Sequence, residues 1–240
     1  MIYHPLGALA PLLLLLSASA RAETGGAHAY DVAVEPVHEV CLEGAGEPGW
    51  AAALLAPEGL SPALLDGRAQ LTLCATSARF GGRTFSEAIF SVAVEEPAGG
   101  SGAFLVAALN SRRSYAWVER RRNRSPYAHG AVVERFGAEG ARLRLGPEEA
   151  PWVTANTALQ GVAVNGQPER FEGAIYQPGH TLFYARLEGE VSRAPWSDQD
   201  ALEIAGGSDL SAALSASAFT PTVWRLRAAG RHAKTKTIQR

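Results

Sequence analysis

The sequence predicts an α+β domain, mainly antiparallel β, whose strands form a closed or nearly closed barrel or cone with a few short helices. Stretches of alternating apolar and polar residues recur along most of the chain, the two-residue period of a strand with one buried face. Glycine-bearing turns separate these stretches, and the segments with helical character are brief. The 240 residues, 47% hydrophobic and 19% charged, suffice for one sizeable core, and no heptad run or internal repeat offers a competing architecture.

The first twenty residues contain no Lys, Arg, Asp or Glu, and an apolar core holding Leu12 to Leu16 ends in Ala18-Ser19-Ala20. That is the pattern of an export signal, with cleavage after Ala20 or Ala22 and a secreted or periplasmic mature protein without a membrane span, the alternative being an uncleaved anchor. The expected organisation is a signal over 1–20, an N-terminal strand region over 21–49, the main domain over 50–230 and a basic tail over 231–240. Two cysteines, Cys41 and Cys74, fall in strand-like segments. They either form one disulfide or are two buried thiols, a choice that depends on a separation the sequence does not give.

The elements follow in order. After a small-residue tether over 24–29, Tyr30, Val32 and Val34, then Val37, Val40 and Leu42, read as one or two strands interrupted at Pro36. Residues 50–55 suit a short helix stopping before Pro57. Ser61-Pro62 offers an N-cap and a proline at the first helical position, so a helical turn over 61–66, closed by Gly67, is expected. Residues 70–79 alternate, turn at Gly81-Gly82 and return over 84–95. A glycine-rich turn over 97–102 leads to a strand over 104–109, then a helix capped by Asn110 or Ser111 and ended by Pro126. Residues 131–136 and 141–145 make a hairpin, residues 153–159 a strand, and residues 165–168 a turn. In the strand over 181–190, Phe183, Ala185 and Leu187 form the core face. Residues 198–217 suit one or two short helices, residues 222–227 a last strand, and the tail from Arg231 is expected to fray.

Candidate chemistry concentrates in residues 85–133. Glu87 lies on one strand face between Phe85 and Ile89, so its carboxyl either reaches solvent at a strand end or sits in a cavity that raises its pKa. Six arginines occur from Arg112 to Arg124, and helical spacing puts Arg113, Trp117, Arg120 and Arg124 on one face. Such a face is either solvated or an anion site. The formal net charge of −2 gives no global reason to expect nucleic acid or an anionic membrane, so any such contact has to be local. No spacing for a metal, a nucleotide or a G-x-S-x-G nucleophile is present, and no cofactor is called for.

Several segments resemble the acetoacetate decarboxylase superfamily. Leu54-Leu55-Ala56-Pro57-Glu58-Gly59-Leu60 is similar to its L-L-P-x-G-L stretch, Phe85-Ser86-Glu87-Ala88-Ile89 to its Y-x-E strand, and Leu109-Asn110 through Pro126 to the segment ending in its P-K-K motif. The resemblance spans residues 50–227 and implies the decarboxylase-like barrel or cone, with Glu87 at the pocket carboxylate. The family's decarboxylases form a Schiff base on the first lysine of P-K-K, where this chain reads Pro126-Tyr127-Ala128. Residues 1–233 contain no lysine, and Lys234 and Lys236 fall in the expected tail.

Three functions remain open on these grounds. One is a binding protein that takes a small, anionic organic ligand without Schiff-base chemistry, with Arg122, Arg124 and Asn110 as ligand contacts. Another is a lyase or hydratase using Glu87 as acid or base with Tyr127 or His129 assisting. The third is a structural envelope protein with no pocket. Binding leads, because the missing lysine removes the family's nucleophile and fold alone does not carry function.

Overall fold

The computed structural model describes residues 32–95, 101–137, 139–157 and 166–240. The expected export signal, the tether over 24–29 and most of the turn over 97–102 lie outside the described residues.

The chain runs as β1 (Val32–Gly46), α1 (Pro48–Leu55), a 3₁₀ turn (Ala56–Glu58), β2 (Leu64–Leu65), β3 (Arg68–Phe80), β4 (Arg83–Glu95) and β5 (Ser101–Asn110). Then come α2 (Arg113–Arg122), β6 (Tyr127–His129), β7 (Val132–Gly137), β8 (Gly140–Leu145), β9 (Val153–Asn156), β10 (Gln167–Gln177) and β11 (Thr181–Pro195). β12 (Ala201–Ile204), α3 (Asp209–Ala216), β13 (Thr220–Lys234) and β14 (Ile238–Gln239) complete it. No helix among the described residues is long and apolar enough to cross a membrane.

Seven strands follow one another around a nearly closed ring, in the order β1-β13-β11-β10-β5-β4-β3, and β3 pairs back onto β1. All contacts are antiparallel except β5–β10, a parallel seam of only two register pairs, Ala103 with Ile175 and Phe104 with Tyr176. Beyond that seam β5 pairs with β6 instead. A second antiparallel sheet, β12-β9-β8-β7, packs outside the ring.

Strand alternation divides the buried residues into two cores. Outward residues such as Leu42, Leu73, Phe90, Val92 and Leu109 pack against Leu143, Leu145 and Val153 of the second sheet and against α1 and α3. Inward residues such as Val37, Phe85, Ile89, Leu105, Phe171, Phe183 and Leu187 form a second apolar cluster on the inner side of the ring. β13 is different: its inward side chains include Arg225, Arg227, His232 and Lys234, all buried. Cys41 and Cys74 face each other across β1 and β3 and form a disulfide.

Three expectations need correction. Residues 61–66 are not helical; Pro62 bridges Val94, and the Ala63 amide donates to the Ala93 carbonyl at 2.8 Å, so sheet pairing outweighs the local Ser-Pro signal. The last strand continues past Arg227 to Lys234, so most of the expected tail is built into the ring, and β14 pairs with β11. The turn over 165–168 opens a long strand, β10, that alternation did not reveal.

Candidate functional site

Strand pairing aligns a row of polar residues across five neighbouring strands. Arg227 stands opposite Glu39, Glu39 opposite Thr76, Thr76 opposite Glu87, and Glu87 opposite Asn110. All five are fully buried. Polar groups in such a place must find partners or accept a large desolvation cost. Glu39 Oε2, Thr76 Oγ1 and Glu87 Oε1 have no hydrogen-bond partner among the described residues.

Glu87 is held from two sides. Its Oε2 accepts from the Tyr127 hydroxyl at 3.1 Å and from Asn110 Nδ2 at 3.4 Å. Asn110 is itself fixed, because its Oδ1 accepts the Arg112 amide at 2.9 Å where the chain enters α2. Burial pushes the Glu87 carboxyl well above its ordinary value, the Glu119 charge adds to this, and Lys234, Tyr127 and Asn110 pull the other way. Burial therefore favours the protonated, neutral form of Glu87. With Oε2 accepting twice, its proton belongs on the partnerless Oε1, where it is a donor aimed into the ring. Burial, the largest cause, likewise raises Tyr127 well above the phenol range and keeps it protonated.

An ion pair adjoins this acid. Lys234 Nζ donates to Glu119 Oε1 at 2.6 Å and lies 5.1 Å from the centroid of the Phe183 ring. Glu119 is the one acid on an arginine-rich helix, and α2 turns it inward. Its Oε2 accepts from Asn123 Nδ2 at 2.7 Å and Ser125 Oγ at 3.1 Å, and Gln177 Nε2 reaches Ser125 Oγ at 2.5 Å. Outside this latch, a cavity of about 230 Å³ is lined by Arg120, Ser125, Tyr127, Asp209 and Leu210, among others.

The opposite end of the interior carries a second ion cluster. Arg225 Nη1 pairs with Glu39 Oε1 at 2.5 Å, its Nε with Glu43 Oε1 at 2.8 Å, and its Nη2 approaches the Cys41 sulfur at 3.0 Å. Arg227 Nη2 pairs with Glu169 Oε1 at 3.1 Å. Between the two clusters sits His232, whose ring nitrogens have no partner among the described residues. Burial, reinforced by Lys234 and Arg227, lowers its pKa to about 3, so it is neutral.

Of the residues singled out from sequence, Glu87, Tyr127 and Asn110 come together. His129 is exposed at the end of β6, and Arg122 and Arg124 are exposed on and just after α2, outside the ring. The residues missed are Glu119, Ser125, Gln177, Thr76, His232 and Lys234. For Lys234 a signal existed: residues 225, 227, 232 and 234 are polar at near-strand spacing, an inward face disguised by charge.

The fold is similar to that of several solved structures. These include the enduracididine biosynthesis enzyme MppR, complexed with the condensation product of pyruvate and imidazole 4-carboxaldehyde, at 15% identity and a TM-score of 0.54 over 84% of this chain and 86% of that one. An acetoacetate decarboxylase-like enzyme from Sphingomonas wittichii RW1 matches at 14% identity and 0.54, covering 85% and 90%. The acetoacetate decarboxylase from Legionella pneumophila matches at 11% and 0.54, covering 90% and 91%. Such identities carry the fold alone. No family model and no curated protein matches the sequence.

Proposed function

We propose that this chain, which has the acetoacetate decarboxylase-like fold, binds a small organic carboxylate inside the ring, against Glu87. The observation that carries the reading is the fully buried Glu87 carboxyl, whose Oε2 accepts two hydrogen bonds while Oε1 has no partner among the described residues. A carboxylate or carbonyl oxygen of the ligand accepts the Oε1 proton, and Thr76 Oγ1 lies in register beside it. Lys234 supplies the positive field that offsets the ligand's charge, and the apolar walls of Phe85, Ile89 and Phe183 take its carbon skeleton.

A second reading is favoured by the burial of Lys234. The amine expected in an exposed tail is inside the ring, where an imine is chemically accessible: the amine adds to a ligand carbonyl, Glu119 accepts its proton, and water leaves. Binding without imine formation is preferred because Lys234 Nζ is already engaged with Glu119 Oε1 at 2.6 Å, a contact that attack on a carbonyl has to break.

The test is a panel of short oxo-, hydroxy- and unsubstituted carboxylic acids, scored by thermal shift on the wild type and Glu87→Gln, each then treated with borohydride and weighed. Stabilisation by panel members, weakened in Glu87→Gln, with no mass gain, supports binding. A borohydride-dependent adduct mapped to Lys234 replaces it with the imine reading. No stabilisation by any member sinks both.

A further inference from the structure

We infer that the α2 end of the ring is a docking face for an anionic lipid bilayer. Arg113, Arg120, Arg121, Arg122 and Arg124 are all exposed, and none is paired with a carboxylate among the described residues. The only acid of the helix, Glu119, faces inward to Lys234 and offers these arginines nothing. Arg112 Nε donates to the Thr84 carbonyl at 2.7 Å, tying α2 to the β3–β4 hairpin tip, where Arg79 and Arg83 are also exposed. Seven exposed arginines therefore cluster at one end. The formal total is −2, so the rest of the chain carries −9.

Trp117 decides which polyanion fits. Its side chain is 51% exposed in the middle of this face, with Arg113 four residues before it and Arg120 and Arg121 three and four residues after. An indole ringed by guanidinium groups matches the boundary of an anionic bilayer, where the ring sits at headgroup depth and the arginines meet lipid phosphates. A nucleic acid would use the charge but leaves the exposed indole without an apolar layer to enter. Arg120 also lines the cavity that has Tyr127 in its wall, so docking through this face brings that cavity close to the membrane.

The experiment is co-sedimentation of the full chain with vesicles of phosphatidylcholine alone and of phosphatidylcholine mixed with phosphatidylglycerol. Variants are Arg113→Gln/Arg120→Gln/Arg121→Gln/Arg124→Gln and Trp117→Phe, whose folds are checked by circular dichroism. Expected is binding that requires phosphatidylglycerol, weakens with salt, and drops about fivefold per arginine removed, several hundredfold in the quadruple variant. A blue shift of tryptophan emission on binding should be missing from Trp117→Phe. Contact made by the apolar run at Leu12 to Leu16 is the same on both vesicle types and untouched by the arginine changes. The proposal falls if there is no gain from phosphatidylglycerol, or if the quadruple variant keeps that gain. It also falls if duplex DNA binds at least as tightly as the anionic vesicles while Trp117 emission does not move.

Discussion

Lys234→Met removes the ammonium from the interior while keeping the length and apolar stem of the side chain. Glu119, with no exposed surface, then keeps only its bonds from Asn123 and Ser125. Removing one partner of a buried ion pair costs about 3–5 kcal/mol, because the remaining charge has neither water nor a counter-ion. In a chain of this size each kcal/mol moves the melting temperature by about 2–4 °C, so the variant should melt roughly 6–20 °C lower. Lys234→Met/Glu119→Met replaces both charges by apolar groups and should return to within about 1–2 kcal/mol of the wild type. Urea titrations of wild type, both single variants and the double variant measure this as a cycle. A Lys234→Met loss below about 1 kcal/mol, or a double variant no better than the single, would refute a buried and mutually dependent pair.

His232→Leu isolates an acid-labile element. The unfolded histidine takes a proton below about pH 6.5 while the folded one resists to about 3, so the wild type loses stability as pH falls through that window, on the order of 3–5 kcal/mol in all. Denaturant titrations of the leucine variant should lack that slope, and an unchanged slope would contradict a buried neutral imidazole. Glu87→Gln has the opposite sign. The folded Glu87 keeps a proton that the unfolded chain gives up above the ordinary value of 4.5, so the wild type weakens as pH rises from there toward the raised value. Glutamine should remove that decline; a wild type that gains from Glu87 ionisation would overturn the neutral-acid assignment. The Cys41–Cys74 bridge spans 33 residues, and its loss in Cys41→Ala/Cys74→Ala should cost about 3–4 kcal/mol, while native protein resists dithiothreitol until it unfolds. Ready reduction of the folded protein would contradict its burial.

What could be read from the sequence followed from simple alternation. In β3 and β4 period two implied the hairpin and put Glu87 on the face of Phe85 and Ile89, but left open whether its carboxyl met solvent or a cavity; the structure buries it. Tyr127 and Asn110 were placed near it by their position around α2, and the structure joins them to Glu87 at hydrogen-bonding distance. β13 escaped because its inner face inverts the usual code. Arg225, Arg227, His232 and Lys234 look like a solvated stripe, and the irregular step at Ala229, with φ of 52° beside a register shift in β11, breaks the alternation between Arg227 and His232. Nothing local distinguishes a buried cation from an exposed one when its partners, Glu39 and Glu119, lie more than a hundred residues away. The arginines of α2 show the converse: their helical spacing was legible, but which side the helix turns to the ring depended on one inward glutamate.

The pairing of β1 with both β3 and β13 means that the first described strand waits for the last. Glu39 meets Arg225 across 186 residues, and Glu119 meets Lys234 across 115. A chain emerging from the ribosome has its acidic interior groups long before their cations, with β1 open along one edge and a carboxylate bound for the core still in water. The interior ion pairs can therefore close only once β13 is present. Until the final strand arrives, β1 keeps one edge unpaired and the interior carboxylates are without their counter-ions.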